Sequence, residues 1–468
     1  MKKAPGFFTL RILSIIFFLT GTANAFSQQQ SELINKIKTY SAEYNQTVKE
    51  IKPLPLDTRL KKIFSEKYEL EFEQPVNHSD PSMGTFYQDI HILHAGFDRP
   101  TVLITEGYSA NYASNPRYLI ELAYILKANI IVVEHRYFNK SIPFKQKDTS
   151  IRLKDLNWEY MNAVQESADL HSVNYFFRQI YGKGKWIASG TSKGGETTMF
   201  YTSYYPKDMD FSVPYVGPVC DKVEDPRQER FIEHETGTPE ARKKVYEFQK
   251  EVLERRKAIE PMMQEWMDTH GQCKFRIGAD ELLDYTVLEF SYSFWQMGRH
   301  APETIPDPAK ASDRQMFDYL VSVDSPDYFS VDPKQYAFFV QASKELGYYK
   351  YDTKPFRGLL SIKSSKNYLR HIFIYNKFKF DKYLTRRINN FMDTTSNKIL
   401  FVYGGYDPWG SVKPRAAIKN EKAALKGRRR NNMYLFVNPG GSHGSKILKM
   451  PEPLKNKALT VIKEWMSE

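Results

Sequence analysis

The chain has 468 residues, a formal net charge of +12, 41% hydrophobic and 15% aromatic residues, and only two cysteines. That length supports a large core together with a second, inserted region. The basic excess is densest over Lys422–Arg430, which has no interleaved aromatics for base stacking, and nothing else in the chain resembles a nucleic-acid module. The run reads as a solvated helix end and loop, and no nucleic-acid partner is expected.

In chain order, residues 1–25 stand apart from the fold. Lys2, Lys3 and Arg11 precede or open the apolar run Ile12–Leu19, and Ala23-Asn24-Ala25 supplies small residues at a cleavage site. This is the pattern of a secretory signal peptide cut after Ala25. The run is short for a bilayer span, no cysteine follows it for lipid anchoring, and no later segment is apolar enough to cross. The expectation is an exported protein, periplasmic or extracellular, with net charge +9 once residues 1–25 and their three positive charges are gone.

Residues 26–65 are polar, rich in lysine and broken by Pro53 and Pro55, as in a loosely attached arm with one helix. Tyr68, Leu70, Phe72, then Phe86, Ile90 and Ile92, alternate with polar residues on either side of Pro81-Ser82-Met83-Gly84, which predicts an antiparallel hairpin. Two continuous apolar strands follow, Thr101–Thr105 and Ile130–Val133, with a helix expected between them over 116–127 and another over 161–180. Strands with no polar alternation, separated by helices, belong to a parallel sheet covered on both faces.

Lys185–Tyr205 joins a short apolar strand to a helix through Gly190-Thr191-Ser192-Lys193-Gly194. G-x-S-x-G in that context is the nucleophile elbow of α/β-hydrolases: glycines where a Cβ would strike the neighbouring strand or helix, and a serine thrown clear of the sheet. A second match, Gly440–Gly444, has no apolar helix after it. From 220 to 392 the pattern is charged, aromatic and helical, with one long helix expected over 240–266. The sheet then resumes with Ile399–Tyr403, Met433–Val437 and a final helix over 454–465. The division is therefore 26–219 for the first part of the sheet with its arm, 220–392 for a large helical cap insertion, and 393–468 for the second part.

The resumed strands carry the missing partners. Asp407 follows Ile399–Tyr403 and His443 follows Met433–Val437, so Ser192, Asp407 and His443 occur in the chain order of α/β-hydrolase triads, each beyond a strand's C-terminal end. In this reading Ser192 attacks a carbonyl, His443 shuttles the proton and Asp407 holds the imidazole. The oxyanion hole would take the N–H of Lys193 and that of Tyr108, with Gly107 as the alternative. Glu106, in the same loop, is either a partner for a substrate's α-ammonium group or an acceptor that holds the loop; Glu196, one turn into the elbow helix, is the second choice for the ammonium. Glu134-His135-Arg136 reads as a Glu–Arg pair fixing a loop. No H-E-x-x-H occurs, so no metal or cofactor is called for. Export admits a Cys220–Cys273 disulfide, which would close a loop of roughly 50 residues and stabilise by about 4 kcal/mol.

The segments GTSKGGETT, VVEHRYFNKSIPF, GGYDPW, PGGSHGSK and FEQPVNHSDPSMGTFYQDIHILH together resemble the secreted bacterial prolyl tri-/tetrapeptidyl aminopeptidases, serine peptidase family 37. The resemblance covers most of 60–220 and 395–468. It implies hydrolysis of short peptides from a free N-terminus, often after proline, under a helical cap. Family 28, the prolyl carboxypeptidase and dipeptidyl peptidase type, shares EHRY and DPW but has another residue at the position of Lys193. Rival readings are an enzyme of that type, an esterase on the same fold, or a catalytically dead peptide-binding surface protein.

Overall fold

A computed structural model of the chain describes residues 31–468 apart from 147, 272, 273, 332, 376, 429 and 430. The expected signal peptide and Cys273 lie outside the described residues. Nine strands form one sheet: β1 (Val48–Pro53), β2 (Glu66–Pro75), β3 (Thr85–His94), β4 (Thr101–Thr105), β5 (Asn129–Val133), β6 (Trp186–Thr191), β7 (Phe211–Tyr215), β8 (Ile399–Gly404) and β9 (Met433–Asn438). Their order is β1-β2-β3-β5-β4-β6-β7-β8-β9. The pairings from β1 to β5 are antiparallel, and those from β5 through β4 to β9 are parallel. This is an α/β-hydrolase sheet with an antiparallel N-terminal edge.

Every residue of β4, β5 and β7 is buried, as continuous apolar strands require when helices cover both faces. The hairpin register pairs Tyr68 with Ile92 and Leu70 with Ile90, so the alternating apolar residues meet as expected. The N-terminal arm is more firmly attached than its composition implies. Leu33 and Ile37 of the helix Glu32–Glu43 are fully buried, the Tyr44 hydroxyl donates to Gln179 Oε1 at 3.1 Å, and β1 adds a strand to the hairpin. Ile34 and Tyr40 of the same helix pack against the core beside them.

Two helix expectations change. Between β4 and β5 a 3-10 turn, Asn111–Ser114, precedes a short α-helix, Glu121–Leu126, closed by Lys127 in the left-handed region at φ 49°. The long helix expected over 240–266 is two, Pro239–Glu254 and Arg256–Thr269, parted at Arg255 with ψ 14°. There the Arg255 guanidinium donates to the carbonyls of Pro308 at 2.6 Å and Ala311 at 2.9 Å, and meets Asp313 at 3.1 Å.

The segment between β7 and β8 is helical and builds its own apolar cluster, distinct from the sheet's. That second cluster also takes in Tyr137, Phe138 and Trp158 from the segment after β5, which seats the cap on the sheet. The chain rejoins the sheet's core before 393: Leu384, Ile388 and Met392 of the helix Tyr383–Thr394 pack within the sheet's cluster. Among the described residues, no helix is long and apolar enough to cross a membrane.

Candidate active site

The loops after β4, β6, β8 and β9 all leave the C-terminal ends of parallel strands, so the topology gathers residues 106–108, 192, 407 and 443 along one edge. Ser192 itself adopts φ 61° and ψ −126°, a strained conformation for a residue with a side chain. The elbow is over-determined by its neighbours. The Ser192 N–H donates to Tyr215 O at 2.9 Å and the Glu196 N–H to Ser192 O at 3.0 Å. Thr105 Oγ1, at the end of β4, bonds Gly194 O at 3.0 Å and Thr198 Oγ1 at 2.7 Å. A Cβ on Gly190 would lie 2.2 Å from Gly194 O, and one on Gly194 would lie 2.7 Å from Thr105 O, which is why both positions are glycine.

Asp407 is fully buried. It accepts the Trp409 N–H at 3.1 Å and meets His443 Nδ1 at 2.7 Å through Oδ2. The two loops are also joined through backbone: the Tyr406 N–H donates to Gly441 O at 2.9 Å and the Gly405 N–H to Asn438 O at 2.9 Å. His443 Nε2 is buried and makes no hydrogen bond among the described residues. The structure thus pairs Asp407 with His443 and sets Ser192 on the same edge of the sheet, with no hydrogen bond from the Ser192 hydroxyl among the described residues.

The loop after β4 is pressed onto the elbow. A Cβ on Gly107 would lie 2.6 Å from Lys193 Cβ and 2.8 Å from Gly194 N, so only glycine fits. The Lys193 N–H opens the elbow helix and has no acceptor within it. Glu106 is turned back on its own loop, accepting from the Tyr112 hydroxyl and from the Gly107 N–H at 3.3 Å. Burial raises its pKa, opposed by Tyr112, the loop N–H groups and Lys193. Of the two roles weighed for Glu106, the contacts present are those of the acceptor that holds the loop.

Glu196 differs. It is 4% exposed and its carboxyl makes no hydrogen bond among the described residues. Burial holds its pKa well above the usual carboxylate range; Lys193 pulls it down and Glu345 pushes it up. With Ser192, Lys193, Cys220, Phe338 and Trp409 it lines a cavity of about 20 Å³, room for about one water. Lys193 is buried as well, its ammonium unbonded among the described residues and 5.9 Å from the rings of both Tyr108 and Phe138. Burial lowers its pKa to about 8, against the pull of Glu166, Glu196, Glu345 and Glu106. Glu345 and Phe338 come from the cap and Glu166 from the helix before the elbow. No local motif announced them, because each comes near the elbow only through the tertiary fold. A larger cleft of about 980 Å³ lies within the cap, and Trp295 in its lining meets the ring of Tyr406, in the loop after β8, at 5.8 Å.

One expectation is corrected. Arg136 pairs with Asp169, two contacts of 2.7 Å each, and not with Glu134. Glu134 instead accepts the Ala110 N–H at 3.0 Å and the Ser141 hydroxyl at 2.9 Å. Cys220 is a free, buried thiol whose sulfur accepts from Gln228 Nε2 at 3.5 Å. Cys220 also lines the cavity beside Ser192; its expected partner in a bridge, Cys273, lies outside the described residues.

A profile of the family described as PS-10 peptidase S37 matches residues 61–467. The chain is 29% identical over 405 residues to a prolyl tri/tetrapeptidyl aminopeptidase from Streptomyces mobaraensis, covering 85% of this chain and 79% of that protein. It is 34% identical over 137 residues to prolyl carboxy peptidase like protein 5 of Caenorhabditis elegans, covering 28% of this chain and 26% of that one. Among solved structures, a proline iminopeptidase from Mycobacterium smegmatis aligns with a TM-score of 0.36 at 11% identity, over 89% of this chain and 99% of that one.

Proposed function

From the premise that the chain belongs to the S37 family of serine peptidases, we propose that it is an exported aminopeptidase that releases short N-terminal peptides, favouring cleavage after proline, with Ser192, His443 and Asp407 as its triad. The observation that carries the reading is the Asp407–His443 pair at 2.7 Å on the same sheet edge as a serine held at φ 61°. Proline preference is carried over from the name of the Streptomyces relative.

Substrate binding closes the remaining gap, as catalytic hydrogen bonds commonly tighten only in the complex. Ser192 Oγ then attacks the scissile carbonyl carbon while His443 Nε2 takes its proton. Asp407 keeps the Nδ1 proton in place and stabilises the imidazolium. The negative oxygen is met by the Lys193 N–H and by the Tyr108 or Gly107 N–H. Collapse expels the amine, protonated by His443, and water repeats the sequence on the acyl-enzyme. Glu196 replaces Glu106 as first choice for the substrate's α-ammonium, because its carboxyl is unengaged and lines the cavity while Glu106 is occupied within its loop. Glu196 stands one helical turn from Ser192, which favours a second reading, dipeptide release.

One experiment addresses these points. Peptides with proline at the second or third position, free or N-acetylated, are digested and the products weighed. The aminopeptidase reading expects the acetylated forms to be poor substrates, and released mass separates dipeptides from longer fragments. Equal kcat/KM for free and acetylated peptides overturns it. Failure of a fluorophosphonate to label Ser192 in the folded protein overturns the triad. Export is checked by the mature N-terminus, expected at Phe26.

A further inference from the structure

Three side chains on the β2–β3 hairpin converge outside the proposed triad. Glu69 of β2 stands directly opposite His91 of β3, and Asp89 lies two residues before His91. Strand alternation therefore puts all three on one face. One ligand-type atom from each lies within 4.8 Å of the others. Asp89 and His91 are each 1% exposed, yet neither carboxylate oxygen of Asp89 nor Nδ1 of His91 makes a hydrogen bond among the described residues. Their own closest approach is 3.9 Å, too long for one. The charge is unbalanced too. The ammonium of Lys140 contacts Glu69 and stands 3.7 Å from Asp89 Oδ1, a single cation against two carboxylates. The Lys140 side chain is half exposed, so it can leave for solvent without breaking the core.

We propose that Glu69, Asp89 and His91 form a binding site for a divalent cation of the zinc type, which displaces the Lys140 ammonium. An imidazole nitrogen with two carboxylates is a donor set for Zn²⁺ and its transition-metal neighbours, whereas Ca²⁺ and Mg²⁺ take oxygen. Bonds of about 2.1 Å in a tetrahedron set ligand atoms about 3.4 Å apart, so the three side chains close by about 1 Å once Lys140 leaves. Three protein ligands leave a fourth position for water. The cation acts as a brace. The Asp89 N–H donates to Ser141 Oγ at 3.0 Å, Ser141 Oγ donates to Glu134, and Glu134 receives the Ala110 N–H of the loop that carries Tyr108.

The test uses the untagged mature chain stripped with a chelator. Calorimetry with ZnCl₂ near neutral pH and elemental analysis after dialysis are expected to give one equivalent per chain, and Co²⁺ to give a visible absorption band. H91A and D89N lose both signals. K140M, freed of the competing ammonium, binds more tightly than wild type and shows the larger metal-dependent rise in Tm. Absence of a stoichiometric metal in both wild type and K140M overturns the proposal, as does a band that survives in H91A. Should H91A and D89N fail to fold, the comparison of K140M with wild type decides alone: tighter binding supports the site and unchanged binding overturns it.

Discussion

His443 holds Asp407 at 2.7 Å through Nδ1 while its other nitrogen, Nε2, is buried and unbonded among the described residues. The imidazole is thus oriented from behind. Asp407→Asn would keep the shape but reverse the hydrogen-bond polarity at Nδ1 and favour the wrong tautomer. We predict a fall in kcat of about 10⁴-fold with little change in KM. Steady-state kinetics on a proline-containing peptide checks this, and a loss confined to KM would contradict it.

The buried carboxyl of Glu196 makes a pH prediction. Burial places its pKa well above the usual range, and only the ionised form attracts an ammonium. KM for free-amine peptides should therefore fall as pH rises through that raised value, and Glu196→Gln should abolish this limb while sparing hydrolysis of any substrate without the amine. Lys193 titrates at about 8 and, while charged, favours the ionised Glu196. Lys193→Met removes that cation, so the limb should move to higher pH. A limb that stays put in both variants assigns it to another group.

Gly107 sits where the β4 loop meets the elbow. In Gly107→Ala the new methyl would fall 2.6 Å from Lys193 Cβ and 2.8 Å from a backbone nitrogen. The loop must lift, at about 1–3 kcal/mol. Because the same loop carries the second oxyanion donor proposed here, kcat should drop more than KM rises. Urea melts and kinetics on one preparation measure both, and wild-type values in each would refute the close packing.

With Cys220 a free thiol whose pKa is raised by burial, reductant should leave Tm unchanged. Iodoacetamide should react slowly with Cys220 in native protein and rapidly after denaturation without reductant. A Tm several degrees lower after reduction would restore the disulfide.

The sheet, and the placing of Ser192, Asp407 and His443 along its edge, were readable from the chain because they rest on local rules. Continuous apolar strands, an elbow demanding glycine at 190 and 194, and an aspartate and a histidine after strand ends are visible in short windows. What was hidden depends on distance. Two buried leucine and isoleucine side chains attached an arm that looked loose. Arg136 chose Asp169 over Glu134 because Asp169 approaches from the following helix. Glu196 and Glu106 were both acidic residues near Ser192, and only hydrogen bonding separates the engaged one from the free one.

The cap leans on the catalytic loops themselves. The His443 N–H donates to Gln296 O at 2.9 Å, Gly298 lies against Ser442 so closely that a Cβ would be 2.7 Å from it, and Thr236 Oγ1 donates to Tyr406 O at 2.9 Å. The cavity at Ser192 holds about 20 Å³, so we predict that these contacts loosen as a peptide enters and that His443 moves with them. Admission and activation are then two ends of one closure equilibrium, coupled reciprocally. Selectivity for chain length would reside in that equilibrium: a peptide too long for the cap to re-cover would leave His443 unseated. We predict that such peptides behave as competitive inhibitors, bound without being cut.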